Sequence, residues 1–295
     1  MEMAKLAAVQ LEYEIKGAGE PVLMISPVVA GAFVPFLSAP TLSDGYRLIR
    51  YHKRGWGRST HTGPPVSIAD HSADAAMLLE HLGVAQAHVV GHSSGAAVAM
   101  QLAIDRPDLV HTLALLEPSL LNLPSAAGLF EKAGPFLEAY GAGDHERAVT
   151  GFLSVVSNLD MQACRAVIEK NVPGGVAQAI SDADTFFGIE LPSLGAWEFG
   201  PTQAAKISQP VLSLRGSETG QLWVDVADLL RSWFPQAENH IVEGVGHLLQ
   251  MQHPEPVAQA LAGFFARHPM NRPEWGVRAG RVLDVGAASE HSAQA

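Results

Sequence analysis

The sequence predicts an α/β fold in which helices flank a mostly parallel central sheet and a helical cap is inserted. Short apolar runs typical of buried strands alternate with amphipathic helical patterns, which indicates βαβ units. This alternation stops in the middle of the chain, where only helical patterns are found, and then resumes. We therefore expect a core of residues 1–118 and 207–270, a helical cap over 119–206 and a C-terminal extension over 271–295.

The predicted strands differ in how many of their faces are buried. The first alternates apolar and polar residues and indicates an outer strand, whereas the second is apolar throughout and indicates a central one. In chain order the predicted strands are 9–15, 21–25, 46–51, 87–90, 111–116, 210–214 and 239–242.

The predicted helices begin and end at recognisable signals. Ser67 and Asp70 resemble a capping box, and Gly83 ends the helix that follows. Further helical patterns cover 33–42, the alanine-rich stretch after Ser94, 126–140, 146–156, 161–169, 176–187, 222–233 and 254–267.

The motif Gly91-His92-Ser93-Ser94-Gly95 lies between a buried strand and the alanine-rich helix. A strand that turns directly into a helix leaves the central residue on a cramped corner, which the glycines make possible. We expect the Ser93 hydroxyl to stand clear of the sheet. We also expect the amide of Ser94, at a helix N-terminus, to point toward an oxyanion formed there.

A serine hydroxyl is a weak nucleophile until a base accepts its proton. Of the thirteen histidines, His247 follows the last predicted strand in a loop that contains Gly244 and Gly246. That loop lies at the same sheet edge as Ser93, so His247 is the predicted general base. His92 is interpreted as a packing or supporting residue, because neighbours on such a turn point apart.

Composition excludes several classes of function. The formal net charge of −11 argues against nucleic acid or an anionic membrane as a partner, and no apolar run has transmembrane length. The N-terminus lacks the basic and apolar regions of a secretory signal, and the single cysteine, Cys164, suits a reducing compartment. We expect a cytoplasmic protein with a small-molecule substrate; its oligomeric state stays open.

From about residue 9 to residue 269 the chain resembles enzymes of the α/β-hydrolase-fold superfamily. The resemblance rests on the Ser93 motif, on Gly246-His247, and on Gly55-Trp56-Gly57-Arg58-Ser59 in the position of the family's Gly-x-Gly-x-Ser loop. It implies a serine hydrolase with a catalytic triad, a nucleophile elbow, an oxyanion hole and a cap domain, and it implies neither a cofactor nor a metal.

The sequence departs from the family pattern at three positions. Ser26-Pro27 replaces a common His-Gly, which makes the amide of Val28 the expected second oxyanion donor, because proline has no N–H. His52 replaces a common Asp, which we expect to change loop packing. The usual catalytic acid is replaced by Thr219.

Two glutamates are candidates for the missing acid. Glu117 ends a strongly apolar strand, where an unpartnered charge is costly, at a second position that some family members use. Glu218 lies in a Ser/Thr/Gly-rich loop, where a solvated carboxylate needs no explanation. We favour Glu117 and keep Glu218 as the alternative.

These residues predict cleavage of an ester, lactone or related acyl bond in a small, fairly apolar substrate through an acyl-enzyme. The alternatives within enzymes are a cofactor-free haloperoxidase and a C–C bond hydrolase with the same triad. A non-catalytic small-molecule-binding protein on the same fold is the alternative from another class. Aromatic residues of the predicted cap that are candidates for lining the pocket are Phe130, Phe136, Phe152, Phe186, Phe187, Trp197 and Phe199.

Overall fold

The computed structural model describes residues 1–270 and confirms the predicted α/β architecture. Its strands are β1 (Glu2–Lys5), β2 (Gln10–Lys16), β3 (Glu20–Ile25), β4 (Tyr46–Tyr51), β5 (Ala87–His92), β6 (Val110–Leu116), β7 (Val211–Gly216) and β8 (Glu238–Val242). They form one eight-stranded sheet in the order β1-β2-β4-β3-β5-β6-β7-β8. The β1–β2 and β2–β4 pairs are antiparallel, and all other pairs are parallel.

The helices match most of the predicted ones, with additional short segments. In chain order they are α1 (Pro40–Ser43), α2 (Ile68–His81), α3 (Ser94–Asp105), α4 (Pro124–Gly141), α5 (His145–Ser157), α6 (Met161–Asn171), α7 (Gly175–Ser181), α8 (Ala183–Thr185), α9 (Leu191–Ala196), α10 (Pro201–Ala204), α11 (Gln221–Trp233), α12 (Leu249–Gln252) and α13 (Pro254–Arg267). A 3₁₀ segment covers Val34–Ser38, and a π-helical segment covers Phe186–Glu190. Among these helices of residues 1–270, none is long and apolar enough to span a bilayer.

The central strand β3 is apolar from Pro21 to Ile25, and both of its faces are covered. On β3, Leu23 and Ile25 pack into the apolar cluster on one face, while Val22 and Met24 pack into the cluster on the opposite face. Successive side chains of a strand point to opposite faces, so alternate residues serve the two layers of helices. This sheet holds the ends of β5, β6 and β7 in fixed register.

Between β6 and β7 the structure has helices and no strand. Helices α4 to α10 and the π-helical segment occupy this stretch, and a separate apolar cluster joins them to residues such as Val28 and Trp56 of the core. The division into a core and a cap at 119–206 stays a prediction. The predicted extension, 271–295, lies outside the described residues.

Two elements differ from the sequence prediction. The short strand β1 pairs antiparallel with β2 and forms the sheet edge, so β2 is not the outermost strand. The predicted helix at 33–42 is a 3₁₀ segment followed by the four-residue α1. The capping box at Ser67 is present, with reciprocal hydrogen bonds between Ser67 and Asp70.

Candidate active site

Ser93 lies on a strained corner between β5 and α3. Its backbone has φ 54° and ψ −120°, a conformation that a non-glycine residue rarely adopts. Its amide donates to the carbonyl of Leu116, at the end of neighbouring β6, over 2.9 Å. Strain of this kind persists only where the surrounding structure imposes it, and it is concentrated at functional sites.

The glycines of the motif are needed for close packing. A Cβ on Gly95 would lie 2.1 Å from the carbonyl oxygen of Ile25 on β3, and one on Gly91 would lie 2.5 Å from the Cα of Ala96. The start of α3 therefore touches the sheet backbone. This contact fixes the corner that presents Ser93.

His247 lies in the loop after β8 and contacts Glu117, the residue that follows β6. The Nδ1 of His247 and the Oε2 of Glu117 are 2.6 Å apart. Glu117 also accepts from the amide of Gly216 at 2.8 Å and from the Thr219 hydroxyl at 3.0 Å. Thr219 therefore supports the carboxylate of Glu117 from the loop position where the family pattern has the acid itself.

Both partners of this contact are buried, which changes their proton affinities. Burial lowers the pKa of His247 to about 3, so its imidazole is neutral at neutral pH and can accept a proton. Burial raises the pKa of Glu117, while the hydrogen bonds from Gly216 and Thr219 act in the opposite direction. An ionised Glu117 can only accept a hydrogen bond, so the Nδ1 of His247 then carries the proton and its Nε2 is the free base.

The alternative acid, Glu218, does not make the carboxylate contact to His247 that Glu117 makes. Glu218 lies on the loop after β7 with its side chain exposed, and its amide donates to the carbonyl of Val245. The carboxylate that contacts His247 belongs to Glu117.

Two rings pack against the imidazole of His247: His92, which was interpreted as a packing or supporting residue, and Trp223, which the sequence analysis missed. Trp223 of α11 stacks on His247 with ring centroids 3.9 Å apart, and His92 lies 4.7 Å away on another side. The Nδ1 of His92 accepts from the amide of Gln250 at 2.9 Å. The only local signal for Trp223 was its place in the first turn of the helix after the Thr219 loop.

A second serine hydroxyl, that of Ser119, lies within hydrogen-bond distance of the Ser93 hydroxyl. The Oγ of Ser93 lies 3.1 Å from the Oγ of Ser119, and the amide of Ser119 donates to the carbonyl of Ser93. Ser119 was missed because a serine three residues after a strand has no distinguishing pattern.

Ser93, His247, Ser94 and Val28 all line one cavity, which has about 570 Å³ of space free of protein atoms, including its opening. Three of the seven candidate aromatic residues, Phe130, Phe152 and Phe186, line it, and the other four do not. Among residues 1–270, none of those that line this cavity is a lysine, arginine, aspartate or glutamate. Within the described chain, no cluster of His, Cys, Asp or Glu has the arrangement of a metal site.

The amides expected to bind an oxyanion also belong to this region. Ser94 is the first residue of α3, and an amide in the first turn of a helix has no acceptor within the helix. Val28 lies in the loop that follows β3, the strand beside β5. Both residues therefore lie near Ser93 at the carboxyl ends of adjacent parallel strands.

Basic residues of the loop after β4 form ion pairs with other segments. Lys53 is buried and pairs with Glu190, while Arg54 makes a bidentate contact to Asp74 of α2. His52 contacts Glu12, in agreement with the expected role in loop packing.

Comparison with known proteins places this geometry in a family. A family model described as the alpha/beta hydrolase fold matches residues 29–254. RutD of Azorhizobium caulinodans, provisionally named a carbamate hydrolase, is 26% identical over 259 residues, which cover 86% of this chain and 94% of RutD. The sn-1-specific diacylglycerol lipase ABHD11 of Mus musculus is 25% identical over 239 residues, which cover 75% and 72% of the two chains.

Solved structures show the same fold at lower identity. An esterase from Thermogutta terrifontis superposes with a TM-score of 0.74 at 21% identity, covering 91% of this chain and all of the esterase. An enol-lactonase from Burkholderia xenovorans LB400 has the same TM-score at 17% identity, covering 90% and 100% of the two chains. The named relatives support the general class of hydrolase. The chain belongs to the family of proteins with the alpha/beta hydrolase fold.

Proposed function

We propose that this protein is a serine hydrolase that cleaves an ester, lactone or related acyl bond through a covalent acyl-enzyme. The observation that carries the proposal is the 2.6 Å contact between His247 and Glu117, in a site whose cavity is also lined by Ser93. This arrangement supplies a nucleophile, a base and a group that orients the base.

The first half of the reaction forms the acyl-enzyme. The Ser93 hydroxyl exchanges its Ser119 partner for the Nε2 of His247 by rotating about its Cα–Cβ bond. Its oxygen attacks the substrate carbonyl while His247 takes the proton, and Glu117 stabilises the imidazolium. The negative charge on the former carbonyl oxygen is bound by the amides of Ser94 and Val28.

The acyl-enzyme forms when the intermediate produced by this attack collapses, and its hydrolysis returns the enzyme to its starting state. His247 gives its proton to the leaving oxygen, the carbon–oxygen bond breaks, and the acyl group stays on Ser93. A water molecule then loses a proton to His247 and attacks the acyl carbon. The bond between this carbon and the Ser93 oxygen breaks, His247 returns the proton to Ser93, and the acid is released.

The cavity favours an uncharged substrate. Its walls are mainly leucine, valine and phenylalanine side chains, and the polar side chains on it are the histidines and serines of the site. A charged acyl group would lose its hydration there without gaining a partner. We therefore propose a small, fairly apolar acyl compound.

A fluorophosphonate probe tests the mechanism. We expect one equivalent of probe to be bound and peptide mapping to locate it on Ser93, with no labelling of the Ser93→Ala variant. A probe on Ser94 or on a serine outside the turn, or no labelling of the folded protein, would contradict the proposal.

The substrate class needs a separate measurement. Rates on matched panels of p-nitrophenyl esters, lactones and carbamates of increasing acyl length compare the classes suggested by the relatives. We expect neutral short acyl esters or lactones to be turned over and their carboxylate-bearing analogues to react at least about tenfold more slowly, since a fully unpaired buried charge is strongly disfavoured. Equal rates for charged and neutral analogues would contradict the apolar substrate class.

A further inference from the structure

A lysine and a glutamate that have no role in the proposed acyl transfer are buried together behind the Ser93 turn. The Nζ of Lys53 and the Oε2 of Glu190 are 2.6 Å apart, and their side chains are 2% and 1% exposed. Removing two charges from water costs several kcal/mol per ion, which the attraction between them repays only with good geometry. Apolar side chains would fill this space at lower cost, so the pair needs a reason beyond stability.

The Lys53–Glu190 pair is closely surrounded by other groups. Burial alone would raise the pKa of Glu190, but the charge of Lys53 overcomes this effect and holds the pKa below its usual value. The indole Nε1 of Trp56 donates to the same Oε2 at 3.1 Å, and the Nζ of Lys53 lies 5.5 Å from the centre of the Trp56 ring.

Lys53 also touches the residue that follows the nucleophile. Its Nζ donates to the Oγ of Ser94 over 3.5 Å. The next residue, Gly95, packs so closely on the carbonyl of Ile25 that a Cβ would not fit between them. Lys53 therefore contacts the side chain of Ser94 on a turn whose next residue packs against the sheet backbone.

Glu190 is the last residue of the π-helical segment Phe186–Glu190, which forms part of the cavity wall. Phe186, at the start of the segment, and Leu191, directly after it, both line the cavity. Single π-helical turns are rare and occur frequently at functional sites. The loop of Lys53 makes a second contact to the same wall, because Thr185 donates to the carbonyl of Gly55 at 2.6 Å.

We propose that Lys53 and Glu190 are positioning residues that lock the Ser94 turn, and with it the oxyanion-binding amide, onto the cavity wall. This role rests on the proposed function, because it gives the Ser94 amide a task in catalysis. Lys53 supplies a donor to the Ser94 hydroxyl, and Glu190 fixes the position of that donor. An apolar pair of equal volume would fill the space but would offer no donor to the Ser94 hydroxyl.

Paired substitutions separate this role from a structural one. Lys53→Met leaves Glu190 buried without a partner and should lower both the midpoint of thermal unfolding and kcat. The double variant Lys53→Met/Glu190→Met removes both charges, and such replacements are often neutral or stabilising. We expect the double variant to regain the unfolding midpoint while kcat for a p-nitrophenyl ester stays about 10- to 100-fold below wild type. This loss is smaller than the roughly 10²- to 10³-fold cost of removing an oxyanion donor, because the Ser94 amide is displaced and not lost. KM should change less than threefold.

The matched control is the neighbouring ion pair of the same loop. Arg54 and Asp74 lie 2.6 Å apart and line no part of the cavity. We therefore expect Arg54→Met/Asp74→Leu to leave kcat within about threefold of wild type when each protein is assayed at the same number of degrees below its own unfolding midpoint.

A double-mutant cycle gives a second measurement in case the methionine variants fold poorly. Glu190→Gln preserves the shape of the side chain, and Ser94→Ala removes the hydroxyl that the pair holds. If the pair acts through Ser94, Glu190→Gln should reduce kcat less in the Ser94→Ala background than in wild type. Equal reductions would contradict the role.

Recovery of full kcat in the double methionine variant would show that the pair is only structural. Loss of Ser93 labelling in the wild-type protein would be a different failure, because it would refute the proposed function as well. If Ser93 of the wild-type protein is labelled and the double methionine variant keeps full kcat, only the positioning role is refuted.

Discussion

The indole of Trp223 stacks on the imidazole of His247 with ring centroids 3.9 Å and ring planes 7° apart. The stack covers one face of the base, and the Glu117 contact fixes its edge. Together they hold the imidazole in one orientation and keep it away from water. The low pKa of His247 is a consequence of this burial.

Replacing Trp223 with leucine should raise the pKa of His247. Water then reaches the ring and stabilises its charged form, so the imidazole protonates at a higher pH. The acid limb of the kcat/KM–pH profile should move upward, and kcat at neutral pH should fall several-fold. Trp233→Leu, on the same helix but packed against Phe199, is the control and should leave the profile in place. An unshifted acid limb in Trp223→Leu would mean that the stack does not control the base.

Ser119 provides a test of the resting state of the nucleophile. Since its Oγ lies 3.1 Å from that of Ser93, its removal frees the Ser93 hydroxyl to approach His247. We expect Ser119→Ala to label with fluorophosphonate at a rate within about threefold of wild type or faster. Ser93→Ala should lower kcat by at least about 10⁴-fold. A Ser119→Ala variant as inactive as Ser93→Ala would give Ser119 a direct part in the chemistry.

The predictable part of this protein is local. Apolar runs located β3 to β8, and the glycine–serine motif located the corner, because these features depend on neighbours in the chain. Glu117 was predictable as the partner of His247 because a charge at the end of an apolar strand needs a partner. Thr219 was recognised as a departure from the family pattern, but its hydrogen bond to Glu117 spans 102 residues and has no sequence signal.

The unpredicted part depends on contacts between distant segments. Lys53 lies in a loop with several basic residues, and its partner Glu190 is 137 residues away. The burial of both follows from the docking of this loop on the π-helical segment, which no periodicity indicates. The strand β1 was missed because four residues that include two charges form a weak pattern, and its pairing with β2 alone defines it.

His71 should make the fold sensitive to acid. Burial, together with the positive charge of Lys53, lowers the pKa of this histidine from 6.5 to about 4. The unfolded chain therefore binds one more proton than the folded chain between these pH values, and stability falls as the pH is lowered through that window. Each pH unit costs about 1.4 kcal/mol, or about 3 kcal/mol over the whole window.

Urea unfolding of wild type and His71→Leu at several pH values measures this contribution. Within the described chain neither ring nitrogen of His71 has a hydrogen-bond partner, so leucine removes the titration without breaking a bond. The difference in unfolding free energy between the two proteins should shift in favour of His71→Leu as the pH falls from 6.5 to 4. A difference that is independent of pH would show that His71 is protonated in the folded protein.

Gly95 should not accept a side chain. A Cβ there would lie 2.1 Å from the carbonyl oxygen of Ile25, and the backbone of both elements would have to move apart. We expect Gly95→Ala to lower the unfolding midpoint and to reduce kcat by displacing the Ser94 amide. Gly128→Ala, in α4 with no atom within 4 Å of the added Cβ, is the matched control and should be neutral or stabilising. Equal midpoints for the two variants would contradict the close contact at the corner.

The proposed acyl transfer depends on His247 being oriented by Glu117. The most direct measurement is kcat of Glu117→Gln and Glu218→Gln on the same ester, with the unfolding midpoint of each variant as a check of the fold. Glutamine at 117 allows the wrong tautomer of His247, so we expect kcat to fall by about 10³- to 10⁴-fold with the fold retained. Glu218→Gln should stay within about twofold of wild type, because its side chain is exposed. Full activity in Glu117→Gln, or a large loss in Glu218→Gln alone, would contradict the account.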